Sequence, residues 1–104
     1  MTNLELVAAE LEAAKKKHPK FVDRFTRKTA LGADGYLDNE RATLRYEDGW
    51  GTVSFADVLG CEVAEAVSAY AHGDLAHARQ ELAQCAAVCI RAMEYIEHEM
   101  EEKK

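Results

Sequence analysis

The tripeptide His72-Gly73-Asp74 splits the second half of the chain into two helix-length runs. Glycine closes helices in a left-handed turn and aspartate caps the helix that follows, so this break predicts a helix ending at Gly73 and another starting after Asp74. So short a connection makes the two helices antiparallel neighbours. Each run carries a polar pair at a spacing of three: Glu62 and Glu65 in the first, Glu81 and Gln84 in the second. Residues three apart share a helix face. The predicted hairpin therefore sets oxygen-bearing side chains side by side on both arms.

The direction of these pairs is the informative part. On the first arm Phe55, Val58, Leu59, Val63, Ala66, Ala69 and Tyr70 form an apolar arc, with Glu62 inside it and Glu65 at its edge. On the second arm Leu75, Leu82, Ala86, Cys89, Met93, Ile96 and Met100 form the main apolar stripe, with Glu81 on its flank and Gln84 at its polar boundary. A carboxylate turned inward is costly unless it is paired or bound to a cation. Three carboxylates and an amide facing a helix-helix interior point to a hard cation such as Mg²⁺, which takes oxygen ligands and commonly binds substrate phosphates as well.

Glu62-Val63-Ala64-Glu65, fifteen intervening residues and then Glu81-Leu82-Ala83-Gln84 resemble the E-x-x-E…E-x-x-D arrangement of the MazG-like, all-α nucleoside triphosphate pyrophosphohydrolases. The flanking residues 52–59, Gly73-Asp74-Leu75 and 79–88 read similarly, so the resemblance covers roughly residues 50–97. It implies an all-α helical bundle whose core is completed by association into a homodimer or homotetramer. It also implies hydrolysis of a nucleoside triphosphate to the monophosphate and pyrophosphate with Mg²⁺, or alternatively Mn²⁺. Glu62, Glu65 and Glu81 would be catalytic ligands, with Gln84 as the fourth ligand position. Gln84 stands where the family pattern usually has Asp, although some small members of bacterial and phage origin carry Gln. An amide oxygen still coordinates a hard cation but brings no charge. Two other functions stay open: a protein that binds and sequesters a nucleotide with little turnover, and a helical interaction protein. In the latter the four side chains would form a buried polar network satisfied by Arg79, Arg91 or His72 without metal.

At 104 residues the chain reads as one small domain, able to bury about 60–65% of its unfolded surface alone, so association is a natural way to complete its core. Its divisions are a first helix over 1–18, a variable connecting segment over 19–52 and the metal-site hairpin over 53–104. A net charge of −6 argues against binding a nucleic-acid polymer, whose phosphates reward clustered Lys and Arg. No stretch approaches the ~18–20 uninterrupted apolar residues of a membrane span, and the first residues lack a basic secretory n-region, so the expected setting is cytoplasmic. Cys61, Cys85 and Cys89 form no C-x-x-C pair. They read as small apolar fillers at close helix contacts in preference to a zinc site.

The first half is less distinct. Thr2 to Glu5 has the form of a capping box, opening a helix over Asn3–Lys17 that Pro19 ends. Lys15, Lys16, Lys17 and Lys20 have two readings: charge opposing the negative end of the helix dipole, or contacts to a nucleotide polyphosphate, for which Lys16, Lys17 and Lys20 are the candidates. Residues 20–32 read as a short helix stopped at Gly32, Ala33-Asp34-Gly35 as a turn, and 38–46 as a further short helix capped by Asp38, with an extended Thr43-Leu44-Arg45-Tyr46 as the alternative. Trp50, on a loop before Gly51, either closes the core or stacks on a nucleobase. Arg79, or a cation from the first 45 residues, would steady the departing pyrophosphate.

Overall fold

The computed structural model describes residues 1–103, and all regular structure among them is helical: α1 (Asn3–Lys17), α2 (Ala30–Trp50), α3 (Phe55–Ala71) and α4 (Leu75–Glu102). The all-α expectation holds. None of these helices is long and apolar enough to cross a membrane. The chain divides into two compact units, Thr26–Cys89 and a second one made of Met1–Phe25 with the chain from Ile90 onward.

In the unit Thr26–Cys89, α2 and α3 pack backbone against backbone, with Cα atoms at 8 Å or closer. They run antiparallel, since Asp34 meets Ser68 and His72 while Arg41 meets Glu65. Close approach is possible because the buried side chains are small. Ala33 and Leu37 of α2 lie inward, together with Cys61, Ala64, Ala66, Ser68 and Ala69 of α3. At 100° per residue these α3 positions cover an arc of about 200°, so α3 is enclosed on more than one side. Gly60 belongs to the same contact. A Cβ there would come within 2.5 Å of Glu40 Oε2.

The 20–50 stretch folds differently from its sequence-based expectation. Residues 18–29 form no regular helix, and a single helix then runs unbroken through Gly32, Gly35, Asp38 and Gly49. Gly32 is not a stop and Asp38 is not a cap. Thr29 caps the helix instead, its Oγ1 accepting the Gly32 N–H at 3.1 Å. Burial of Ala33 and Leu37 against α3 outweighs the weak helix propensity of the glycines, each of which costs about 1 kcal/mol relative to Ala. The helix ends at Gly51, with φ at 67° and its N–H reaching back to the Asp48 carbonyl at 3.1 Å. That conformation is available to glycine at little cost.

The caps around the hairpin form as their residues dictate. Ser54 and Asp57 make a reciprocal capping box at the start of α3. Gly73 adopts φ 82°, and Asp74 Oδ1 accepts the His77 N–H at 3.1 Å to open α4. The apolar stripe of α4 is another matter. Leu75 and Leu82 are 62% and 43% exposed, and Cys89 is also exposed; the α4 residues that are buried are Ala78 and Glu81. The stripe was expected to face the core, but a chain this short offers too few helices to cover it. The role of small filler thus fits Cys61 and fails at Cys89. No large side chain among the described residues is fully buried.

The second unit contains α1 and the end of α4. The Thr2/Glu5 capping box forms as expected, and Asn3 Nδ2 donates to Glu97 Oε1. Leu4, Leu6, Val7 and Leu11 along α1, and Tyr95, Ile96 and Met100 along α4, are exposed.

Candidate metal centre

Glu62, Glu65 and Glu81 are brought together. One carboxylate oxygen from each lies within 4.8 Å of the others, and among the described residues this is the one set of His, Cys, Asp and Glu side chains placed to share a cation. The two glutamates of α3 sit on successive turns and are half-buried. Glu81, on the second turn of α4, is only 6% exposed. The cysteines form no such set.

Three carboxylates this close repel one another, and with all three ionised no donor exists among them. Arg41 offers partial relief: its Nη2 stands 3.5 Å from Glu65 Oε1, a long separation for a hydrogen bond. His77 lies one turn before Glu81, and its Nε2 is 3.0 Å from Glu81 Oε1. Two oxygens remain buried with no hydrogen-bond partner, Glu62 Oε2 and Glu81 Oε2. Burial and the neighbouring carboxylates push the Glu62 and Glu65 carboxyls above their ordinary range, more than Arg41 offsets at Glu65. Burial pushes Glu81 the same way, but hydrogen bonds from Glu65, Glu62 and His77 outweigh it and keep its carboxyl below that range.

A cation would relieve the repulsion among the three carboxylates. Neighbouring oxygens of a Mg²⁺ shell are about 3 Å apart, so ligand atoms within 4.8 Å of one another would draw closer on binding through their glutamate rotamers. The two unpartnered oxygens supply the acceptors. The donor set is all oxygen, which suits Mg²⁺ or Mn²⁺ and not a thiophilic metal.

The remaining sequence candidates are placed as follows. Gln84 is exposed, one turn beyond Glu81. Arg79 is also exposed, and at two residues from Glu81 it projects from the opposite side of α4. Trp50 ends α2 at 72% exposure, its ring 6.5 Å from that of Tyr46. It does not close the core. Nine residues separate it from Arg41, about 13 Å along the helix. Lys16, Lys17 and Lys20 belong to the other unit and are exposed, with Lys20 paired to Asp23 at 2.6 Å. His72, a candidate partner for the carboxylates in a metal-free network, is bonded to Asp34 instead. Arg41 and His77 are the two neighbours that sequence reasoning missed. The i, i+4 spacing of His77 and Glu81 was a usable signal; nothing local marked Arg41, which arrives through the pairing of α2 with α3.

Compared with protein-family models, with curated proteins and with solved structures, the chain matches none, and the MazG-like reading rests on its own residues.

Proposed function

We propose that the chain is a Mg²⁺-dependent nucleoside triphosphate pyrophosphohydrolase of the MazG-like type, with Mn²⁺ as an alternative ion. The observation that carries this reading is the pair of buried, unpartnered oxygens on Glu62 and Glu81, within a trio whose ligand atoms lie inside 4.8 Å. A carboxylate set built only for stability would have been completed by donors or replaced by apolar residues.

Glu62, Glu65 and Glu81 would hold the ion. When bound, it neutralises the triphosphate and acidifies water. In the overall reaction, water oxygen bonds to the α-phosphorus, the α–β bridging bond breaks and pyrophosphate departs. One of the three carboxylates would also accept the proton lost by water. Arg41, half-exposed beside Glu65, would offer its remaining guanidinium donors to the phosphates. The uncovered apolar faces of α1 and α4 support a homodimer or homotetramer.

Phosphorus NMR of the protein with ribo- and deoxyribonucleoside triphosphates, with and without Mg²⁺, tests the reading beside a Glu62→Gln control. Mg²⁺-dependent pyrophosphate release that is lost in the control is the expected outcome. Saturable nucleotide binding without release would replace hydrolysis by sequestration, the reading favoured by an uncharged Gln84. Neither release nor binding would leave a helical interaction protein.

A further inference from the structure

Glu81 is the most enclosed acid in the chain, and its two oxygens are in opposite situations. Oε1 has a partner in His77 Nε2 at 3.0 Å, whereas Oε2 is buried with none. An ionised carboxylate only accepts, so the imidazole must be the donor and His77 carries its proton on Nε2. That bond removes the rotational freedom of the carboxylate about its last torsion. With Oε1 taken by the imidazole, Oε2 is the oxygen left for a ligand.

His77 is itself held. It is the third residue of α4, and its backbone N–H donates to Asp74 Oδ1, the cap of the helix, at 3.1 Å. Asp74 Oδ2 lies 3.8 Å from the ring Nδ1, outside hydrogen-bond range. Cap, imidazole and ligand thus follow one another along a single helix edge at residues 74, 77 and 81. Hydrogen-bonded partners of this kind fix the orientation of metal ligands and are worth about 10–100-fold in metal affinity.

We infer that His77 is a positioning residue of the cation site, acting through Glu81 Oε1 to hold Glu81 Oε2 toward the ion without ligating it. The inference rests on the reading of the glutamate trio as a cation site. It explains why a half-exposed histidine stands one turn ahead of the most buried acid.

The test is Mn²⁺ binding followed by electron paramagnetic resonance on the purified full chain, with His77→Phe and His77→Gln beside the unaltered protein. His77→Phe keeps the planar ring and removes the donor; His77→Gln returns an N–H that can reach a residue four positions on. The expected result is about a 10–100-fold loss of Mn²⁺ affinity for His77→Phe and recovery to within a few-fold for His77→Gln. Metal-free circular dichroism of each variant checks that α4 still forms. Unchanged affinity in a folded His77→Phe overturns the inference while leaving the metal centre standing. A ¹⁴N coupling from a directly bound imidazole in pulsed spectra of the unaltered protein overturns it as well, by making His77 a ligand; the absence of that coupling supports it. Failure of the unaltered protein to bind Mn²⁺ overturns the cation site and the inference with it.

Discussion

Two polar clusters share helix α3, within ten residues of each other, and they are built on opposite terms. At one end Asp34 accepts from Ser68 Oγ at 3.0 Å and from His72 Nε2 at 2.8 Å, a single acid with two donors. Nearer the middle, Glu62 and Glu65 meet Glu81, three acids served by one histidine and one distant arginine. The first cluster is complete, and its chemistry is used up in tying the start of α2 to the end of α3. The second leaves two buried oxygens unpartnered. Completed polar clusters hold a fold together, while an incomplete one keeps capacity for something from outside.

The sharpest way to break this contrast is to remove a ligand. Glu81→Ala or Glu62→Gln should lower Mg²⁺-dependent pyrophosphate release by at least about 100-fold, since each removes a charge from a three-carboxylate set. Phosphorus NMR measures it, and activity surviving both substitutions would move the chemistry elsewhere. Removing the acid of the other cluster, in Asp34→Asn, should leave release and Mn²⁺ affinity unchanged.

The acidity of the two clusters separates them next. Glu62 and Glu65 are raised above the ordinary value of 4.5, so the folded metal-free protein binds more protons than the unfolded chain above that pH. Stability from this source is present below 4.5 and is lost as pH rises through the raised values. Asp34 behaves in the opposite sense. The hydrogen bonds from His72 and Ser68 lower it from 3.8, so its contribution is present above that pH and is lost as pH falls through the lower folded value. Thermal melts in chelator should therefore show a decline on the alkaline side that Mg²⁺ removes, and a decline on the acid side to which Asp34 and the lowered Glu81 both contribute. A metal-free melting temperature that keeps rising with pH above 4.5 would contradict the crowded trio.

A smaller effect has the unusual sign. Glu62→Leu should stabilise the metal-free protein by about 1 kcal/mol, because an unsatisfied, repelled carboxylate gives way to an apolar side chain of similar size. Denaturant titration in chelator reads it. Smallest of all is Gly60→Ala. The added Cβ meets only the end of Glu40, a flexible side chain, so the gain in helix propensity and the displacement of that carboxylate should nearly cancel.

Legibility from the sequence followed the locality of each signal. The Thr2/Glu5 box, the Gly73 turn and the Asp74 cap are decided by residues within four positions, and all form as read. The inward setting of Glu62 and Glu81 also came from periodicity alone. The 20–50 stretch did not, because its glycines and Asp38 are sound local stop and start signals that packing of Ala33 and Leu37 against α3 overrides. Arg41 was hidden for the same reason: the antiparallel pairing that carries it to Glu65 is a property of two helices, not of one. The apolar stripe of α4 was legible as a stripe, but periodicity does not supply a partner for it.

The single tryptophan of the chain stands at the end of α2, largely in water beside Tyr46. At this exposure its emission should be that of a solvated indole in the folded chain, so denaturant should shift the spectrum little and far-ultraviolet dichroism would carry the melting curve. The same placement makes it an optical reporter of covering. A blue shift on concentrating the protein records a second copy closing over this corner, and quenching on addition of nucleotide at fixed protein concentration records a base laid against the ring.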